Sequence, residues 1–219
     1  MKKLLISLTG SKKSGKSTAA QLLSEMFFDS KVIAIADKLK VECSVAYDID
    51  LIHFHSQDLK EQSMIYPIRT KIETITHLIE AFKLKSTEKV KIDSNVLYEL
   101  STVEMRTPRD LMQNIGMFIR KVFGKQVHLK HLDLSNDVTI VSDVRFKNEF
   151  DYLDNLEGYI HIPIYIHNKE AESANDKHAS EQDYKKFVNK CFKVDNNKKD
   201  LEDLFQQLES IVFEGKDVR

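Results

Sequence analysis

The spacing G-x-x-x-x-G-K-S, from Gly10 to Ser17, constrains this chain more than any other stretch. An apolar run (LLISLT, residues 4–9) ends at Gly10, and Ser11, Lys12, Lys13 and Ser14 follow. Gly15, Lys16, Ser17 and Thr18 then open a segment with Ala19, Leu22, Leu23 and Met26 at helical spacing. Glycines at these two positions let the backbone curl so that its N–H groups face a phosphate. Lys16 reaches toward the β- and γ-phosphates, and the Ser17 hydroxyl suits Mg²⁺. The helix that follows adds the positive end of its dipole to the anion site. The plainer alternative is a Gly/Ser/Lys turn between two elements. A buried-type strand before the loop and a periodic segment after it favour nucleotide binding.

A chain of 219 residues that is 42% hydrophobic and 31% charged can bury a substantial core. Its net charge of −1 gives no electrostatic case for nucleic acid as a partner. Cys43 and Cys191 are the only cysteines, which fits small buried residues in a reducing compartment better than a disulfide or metal site. Lys2 and Lys3 before an apolar run hint at a secretory leader, but the run is short and leads straight into the loop. No apolar run reaches membrane-spanning length. A cytoplasmic chain with no membrane partner is therefore expected.

Strands alternate with helices along the chain. Residues 31–36 (KVIAIA) read as a second strand, and Asp37-Lys38-Leu39-Lys40 start a helix through Ala46. Ile68, Ile72, Ile75, Ile79 and Phe82 form a helical stripe, followed by a charged stretch to about Asn95. Thr107 and Pro108 mark another helix start, with Thr at the N-cap, Pro at N1 and Asp110 at N3. Residues 137–142 make a third strand, and a short helix from Phe146 closes on Gly158. Residues 159–166 make a fourth strand, in which Pro163 points to a sheet edge or irregularity. Residues 168–182 are polar and aperiodic and read as a mobile loop. A short fifth strand spans 191–194, and Leu201, Leu204, Phe205, Leu208, Ile211 and Val212 define a helix ending before Gly215. The fold class is α/β: a five-stranded, mainly parallel sheet flanked by helices, with ligands at the carboxyl ends of the strands.

Phosphoryl transfer asks for cationic donors, a metal and a held acceptor. Asp37 follows the second strand, where it could serve a substrate or metal, or simply cap the next helix at about 1 kcal/mol. Lys40 could meet a phosphate or be a solvated lysine. On the helix from Pro108, Arg109, Gln113, Gly116 and Arg120 share one face, opposite Leu111, Ile115, Phe118 and Val122. A mid-helix glycine costs about 1 kcal/mol against alanine, so Gly116 implies close packing. Arg106 and Arg109 bracket the helix start, where their forks could hold a monophosphate; a solvated polar face is the alternative. Asp143 and Arg145 follow the third strand, either as a Mg²⁺ carboxylate and phosphate donor or as a structural pair. His53 with His55, and His128 with His131, lack the partners of a zinc site. Asn197-Lys198-Lys199-Asp200 fits the guanine-reading N-K-x-D, but no glycine has Asp three residues before it, so a GTPase switch is excluded.

Several segments occur together in order: the phosphate loop, ADKLK (36–40), TPRDLMQNIG (107–116), SDVRFKNE (142–149) and DKHASE (176–181). This set resembles the deoxynucleoside monophosphate kinases of tailed bacteriophages and, more distantly, the animal-type phosphomevalonate kinases. The resemblance spans most of the chain apart from about 47–100. It implies a single phosphate-loop kinase domain over 1–219, with an acceptor-binding helical insertion at 48–105 and a lid at 168–182. It also implies ATP and Mg²⁺ as cofactors, with γ-phosphate transfer to a deoxynucleoside monophosphate. Gly10, Ser11, Lys12, Lys13, Ser14, Gly15, Lys16, Ser17 and Thr18 would then hold ATP, and Ser17 and Asp143 the metal. Asp37, Lys40, Arg106, Arg109, Gln113, Asp143, Arg145 and Lys177 would face the acceptor, with Lys16, Arg109, Arg145 and Asp37 closest to the chemistry. Asn196 and Asn197 match a turn near adenine, and Asn197 is assigned to the nucleotide.

The chain departs from the pattern at Met117-Phe118-Ile119, where an acidic residue is usual. It has no tryptophan, and His167-Asn168-Lys169 stand where the lid often begins with arginine. These departures leave ATP binding intact and base selectivity open. A homodimer stays open as a further partner, and the host cytoplasm is the expected location if the source is viral. Two rival readings stand beside this one: a kinase of another small phosphorylated acceptor such as phosphomevalonate, and a nucleotide switch module without catalysis.

Overall fold

The computed structural model of the protein describes residues 2–56, 58–84, 90–173, 183–198 and 200–217. Strand β1 (Lys3–Thr9) runs through the glycine loop into α1 (Lys16–Glu25) and on to β2 (Ser30–Ile33). Helices α2 (Asp37–Tyr47), α3 (Ile52–His55), α4 (Ile72–Phe82), α5 (Ser94–Thr102) and α6 (Pro108–Phe123) follow. The chain returns through β3 (Val138–Val141), α7 (Lys147–Asp154), β4 (Tyr159–His167), α8 (Lys169–Ser173), β5 (Phe192–Asp195) and α9 (Leu201–Asp217). It divides into two compact units, one of residues 1–35 with 132–219 and one of 36–131.

The first unit is a five-stranded sheet in the order β2-β3-β1-β4-β5, and every pairing is parallel. β1 lies at the centre. Each of its residues from Leu4 to Thr9 is buried, because helices cover both faces of a parallel sheet. On one face Leu4, Ile6, Leu8, Ile162 and Ile164 pack under Leu23 of α1 and Leu204, Leu208 and Val212 of α9. Fully burying one such side chain contributes about 1.5–3 kcal/mol. On the other face Phe150 of α7 stacks on Phe187 at 4.8 Å, and Tyr165 lies beside Tyr184. Two polar residues inside this layer pair with each other: Ser7 Oγ meets His161 Nε2 at 2.8 Å, and His161 Nδ1 meets Asp154 at 3.0 Å. Such pairing removes the penalty of burying them unsatisfied. β5 covers β4 only from Ile164 onward, so Pro163 sits where its missing N–H is tolerated.

The second unit is helical, with Phe54, Leu78, Phe82, Leu111, Ile115 and Ile119 among its buried side chains. The start of α6 is as the sequence predicts. Thr107 Oγ1 accepts from the Asp110 N–H at 3.0 Å, and the Asp110 carboxylate accepts from the Thr107 N–H at 3.1 Å. The mid-helix glycine is accounted for as well: Gly116 is buried, and a Cβ there would lie 3.1 Å from Leu39 Cδ2 of α2.

Several sequence expectations need correcting. β2 stops at Ile33, because the next inward N–H, that of Ile35, donates to Asp143 Oδ1 at 2.8 Å instead of to a strand. The stripe from Ile68 is helical only from Ile72. Ile68 instead exchanges backbone hydrogen bonds with Met105 at 2.8 and 2.9 Å, and Ile72 is 74% exposed. α5 forms just past the charged stretch, in residues for which the sequence suggested no element, with Asp93 accepting from the Asn95 N–H at 2.8 Å as its cap. α7 ends at Asp154 rather than Gly158; Gly158, with φ +84°, instead opens β4. α8 occupies the beginning of the stretch read as a loop, and α9 continues past Gly215 to Asp217. Among the described residues no helix is long and apolar enough to cross a membrane.

Candidate functional site

The carboxyl ends of the strands carry the residues singled out in the first unit. The loop after β1 turns at Gly10 (φ +143°), where a Cβ would lie 2.5 Å from the backbone oxygen of Ile166 on β4. Lys13 takes a left-handed φ of +66°, uncommon for a residue that carries a side chain. Gly15 (φ +103°) precedes α1 and offers no side-chain cap, and the first turn of α1 holds no acidic residue. The N–H groups that a helix start leaves unmatched are therefore served by no side-chain cap. Lys16 Nζ arches back over the loop to donate to the Gly10 and Ser11 carbonyls at 2.8 and 2.7 Å. The hydroxyls of Thr9, Ser11 and Ser14 are buried and meet no hydrogen-bond partner among the described residues. A burial of that kind is costly unless an acceptor arrives. Orphaned hydroxyls, an uncapped helix start and a lysine make a donor set that fits a polyphosphate.

Ser17 and Thr18 are exposed on the first turn of α1. Ser17 lines a shallow cleft of about 360 Å³ together with Gln21, Ser24, Val32 and Ser142. Asp143 follows β3 with one carboxylate oxygen on the Ile35 N–H. Hydroxyl and carboxylate are hard oxygen donors, the type Mg²⁺ takes alongside phosphate oxygens and water. Arg145 is held through its backbone: its N–H and that of Phe146 donate to Glu149 at 2.9 and 3.0 Å, and Glu149 is only 4% exposed. Asn197, in the turn after β5, accepts from the Lys169 N–H at 2.7 Å and donates its own N–H to Asp195 at 3.0 Å.

The second unit carries the other predicted residues. Asp37 is the first residue of α2 rather than its cap. No side chain caps that helix, and the Asp37 carboxylate meets Lys40 Nζ at 2.7 Å. Nearby His55 is held below the ordinary imidazole value, by burial first and then by the Lys40 charge. Arg109 Nε donates to Glu61 at 2.6 Å, while Arg106 lies 3.8 Å from Glu104, so the two arginines have separate acidic neighbours. Gln113 is exposed and Arg120 half-buried. Among the described residues no three His, Cys, Asp or Glu side chains gather as a metal site. His128 and His131 both pack edge-on against Phe82, and burial pushes His128 down to about 4, with the Arg120 charge adding to it. Lys177, with His178 and the rest of 174–182, lies outside the described residues.

Glu149, Glu61 and Asn168 have no role of their own legible in the sequence, and Asn196 has only its place in the turn matched to adenine. Glu149 and Glu61 act on Arg145 and Arg109. Glu149 had a local signal, lying three residues after Phe146 as a reach-back helix cap does. Glu61 is 48 residues from Arg109, and no local pattern announces that pairing.

No family model matches the chain. It is 27% identical over 215 residues to a protein of Acanthamoeba polyphaga mimivirus provisionally named a deoxynucleotide monophosphate kinase, covering 95% of this chain and 96% of that one. The crystal structure of TT1252 from Thermus thermophilus aligns over 98% of both chains at 16% identity, with a TM-score of 0.42. That likeness is too loose to bear on fold or function.

Proposed function

We propose that the chain is a nucleoside monophosphate kinase that transfers the γ-phosphate of ATP to a deoxynucleoside monophosphate. The observation that carries this reading is the loop after β1: Lys16 folded over it, its buried hydroxyls unpaired and the helix behind it uncapped. A viral relative matched over nearly its whole length, and named for this activity, supports the choice of acceptor.

In this reading the loop N–H groups and Lys16 hold the β- and γ-phosphates of ATP, and Ser17 with Asp143 holds Mg²⁺, the latter through water. The metal supplies charge neutralisation at the phosphate oxygens. Arg145, its backbone fixed by Glu149, adds a cation on the same strand ends. The acceptor monophosphate is assigned to Arg109, Arg106 and Lys40, with Asp37 and Gln113 toward the nucleoside and Lys177 from the 168–182 segment. Glu61 takes the Nε edge of Arg109, and the fork of terminal nitrogens is the part suited to grip a phosphate. The 48–105 segment would bind acceptor, 168–182 would act as a lid and Asn197 would stand near adenine. The enzyme would work in the cytoplasm.

The test is to incubate purified protein with Mg-ATP and, separately, deoxynucleoside monophosphates, ribonucleoside monophosphates and phosphomevalonate, following ADP. ADP formed with a deoxynucleoside monophosphate is expected. Turnover with phosphomevalonate alone would move the acceptor class, and ATP binding without turnover on any acceptor would make the chain a switch module.

A further inference from the structure

We infer that Asn196 is a positioning residue for the phosphate loop, and that Asn168 holds it in that role; the inference rests on the nucleotide-binding reading above. Asn196 is 9% exposed and sits just beyond β5, yet its side chain serves a segment 182 residues earlier. Its Nδ2 donates to the Ser14 carbonyl at 2.9 Å. The same nitrogen fills the space over Gly15, where a Cβ would come within 2.2 Å of it. A peptide unit is planar and trans, so its C=O and N–H point in opposite directions. Pinning the Ser14 oxygen to Asn196 therefore turns the Gly15 N–H away from Asn196 and fixes it there. If that peptide flipped, a carbonyl oxygen would replace a donor in the loop and repel a phosphate.

Asn196 is itself fixed at both ends. Its N–H donates to the His167 carbonyl at 2.9 Å, which splices the ends of β4 and β5. Its carbonyl accepts from Asn168 Nδ2 at 2.7 Å. Asn168, 3% exposed, uses its Oδ1 to accept the Ala171 N–H at 2.9 Å and so caps α8. Two buried amides thus run from the first turn of α8 to the backbone of the phosphate loop.

The experiment measures binding of Mg-ATP and of Mg-tripolyphosphate, which has no base, to wild type, Asn196→Ala and Asn168→Ser. Serine caps a helix as asparagine does, so Asn168→Ser removes the Asn196 contact and keeps α8 capped. Asn196→Ala should weaken both ligands by the same factor, about ten-fold. Asn168→Ser should weaken both equally but less, with KM for the acceptor unchanged in each variant. Loss of ATP affinity with tripolyphosphate unaffected would overturn the inference in favour of base recognition. Unchanged binding of both ligands would overturn it outright. Melting of the ligand-free variants shows whether each is folded, and if Asn196→Ala is not, the equal loss or its absence in Asn168→Ser decides. Wild type binding neither ligand would instead remove the nucleotide reading, and this inference with it.

Discussion

Helices α1 and α6 start in opposite ways. α6 closes its own N-terminus: Thr107 and Asp110 exchange hydrogen bonds, and Pro108 has no N–H to satisfy. α1 has no side-chain cap, no acid in its first turn and a glycine in front. A glycine in front of a helix forgoes only a few tenths of a kcal/mol against a capping side chain, and it leaves the first N–H groups open to a ligand. The two ends therefore divide the work. In the proposed reading the backbone itself would be the anion site at α1, whereas at α6 any grip on an anion would come from side chains such as Arg109.

The largest break of this comparison is Lys16→Ala. It removes the cation over the α1 loop and little packing, so turnover should fall by 10²- to 10³-fold or more with the thermal transition nearly unmoved. Activity within a few-fold of wild type, in the same steady-state assay, would show that the open helix start does not serve catalysis. Next comes Arg109→Lys at the closed end. It keeps charge and loses the planar fork, so acceptor use should drop roughly ten- to a hundred-fold, with ATP affinity untouched. Separate titrations of acceptor and ATP check this; a loss confined to ATP would put Arg109 on the wrong substrate. A smaller effect is expected on metal demand. Ser17→Ala and Asp143→Asn should each raise, by several-fold, the Mg²⁺ concentration giving half-maximal rate. Identical metal curves for wild type and both variants would remove these two residues from the site. The smallest is Thr107→Ala, which unmakes the cap of α6 and should cost about 1 kcal/mol of stability by denaturant titration. ATP affinity should not change, whereas a fall would blur the division between the two helix starts.

These two helix starts were also the most legible parts of the chain, because each is written in residues with few uses: paired glycines and G-K-S at one, T-P-x-D at the other. The strands were legible as apolar runs, since a doubly covered parallel sheet leaves little room for alternation. Segments whose partners lie far off were not legible. Ile68 fits a helical stripe by spacing but pairs with Met105 across a bridge. Gly158 looks like a helix stop, yet its positive φ serves the entry to β4 and its carbonyl meets the Lys3 N–H. Asn196 gives no hint in sequence that its amide belongs to Ser14, and Arg109 none that it rests on Glu61. Asp37 shows the limit of local rules: acid at a helix start suggests a cap, and the carboxylate turned to Lys40 instead.

The central position of β1 has a consequence for how the protein is made. β1 leaves the ribosome before the other four strands of its sheet, and its partners are β3 and β4, more than 120 residues behind it; β2, the next of the five, pairs with β3 and not with β1. Bringing such distant segments together carries the loop-closure cost that slows folding. The phosphate loop waits longer still, because Gly10 packs on Ile166 and Ser14 hangs from Asn196. The loop is thus synthesised well before the residues that complete it, and nascent chains stalled before Asn196 emerges should not retain ATP on a filter, whereas chains stalled after α9 should.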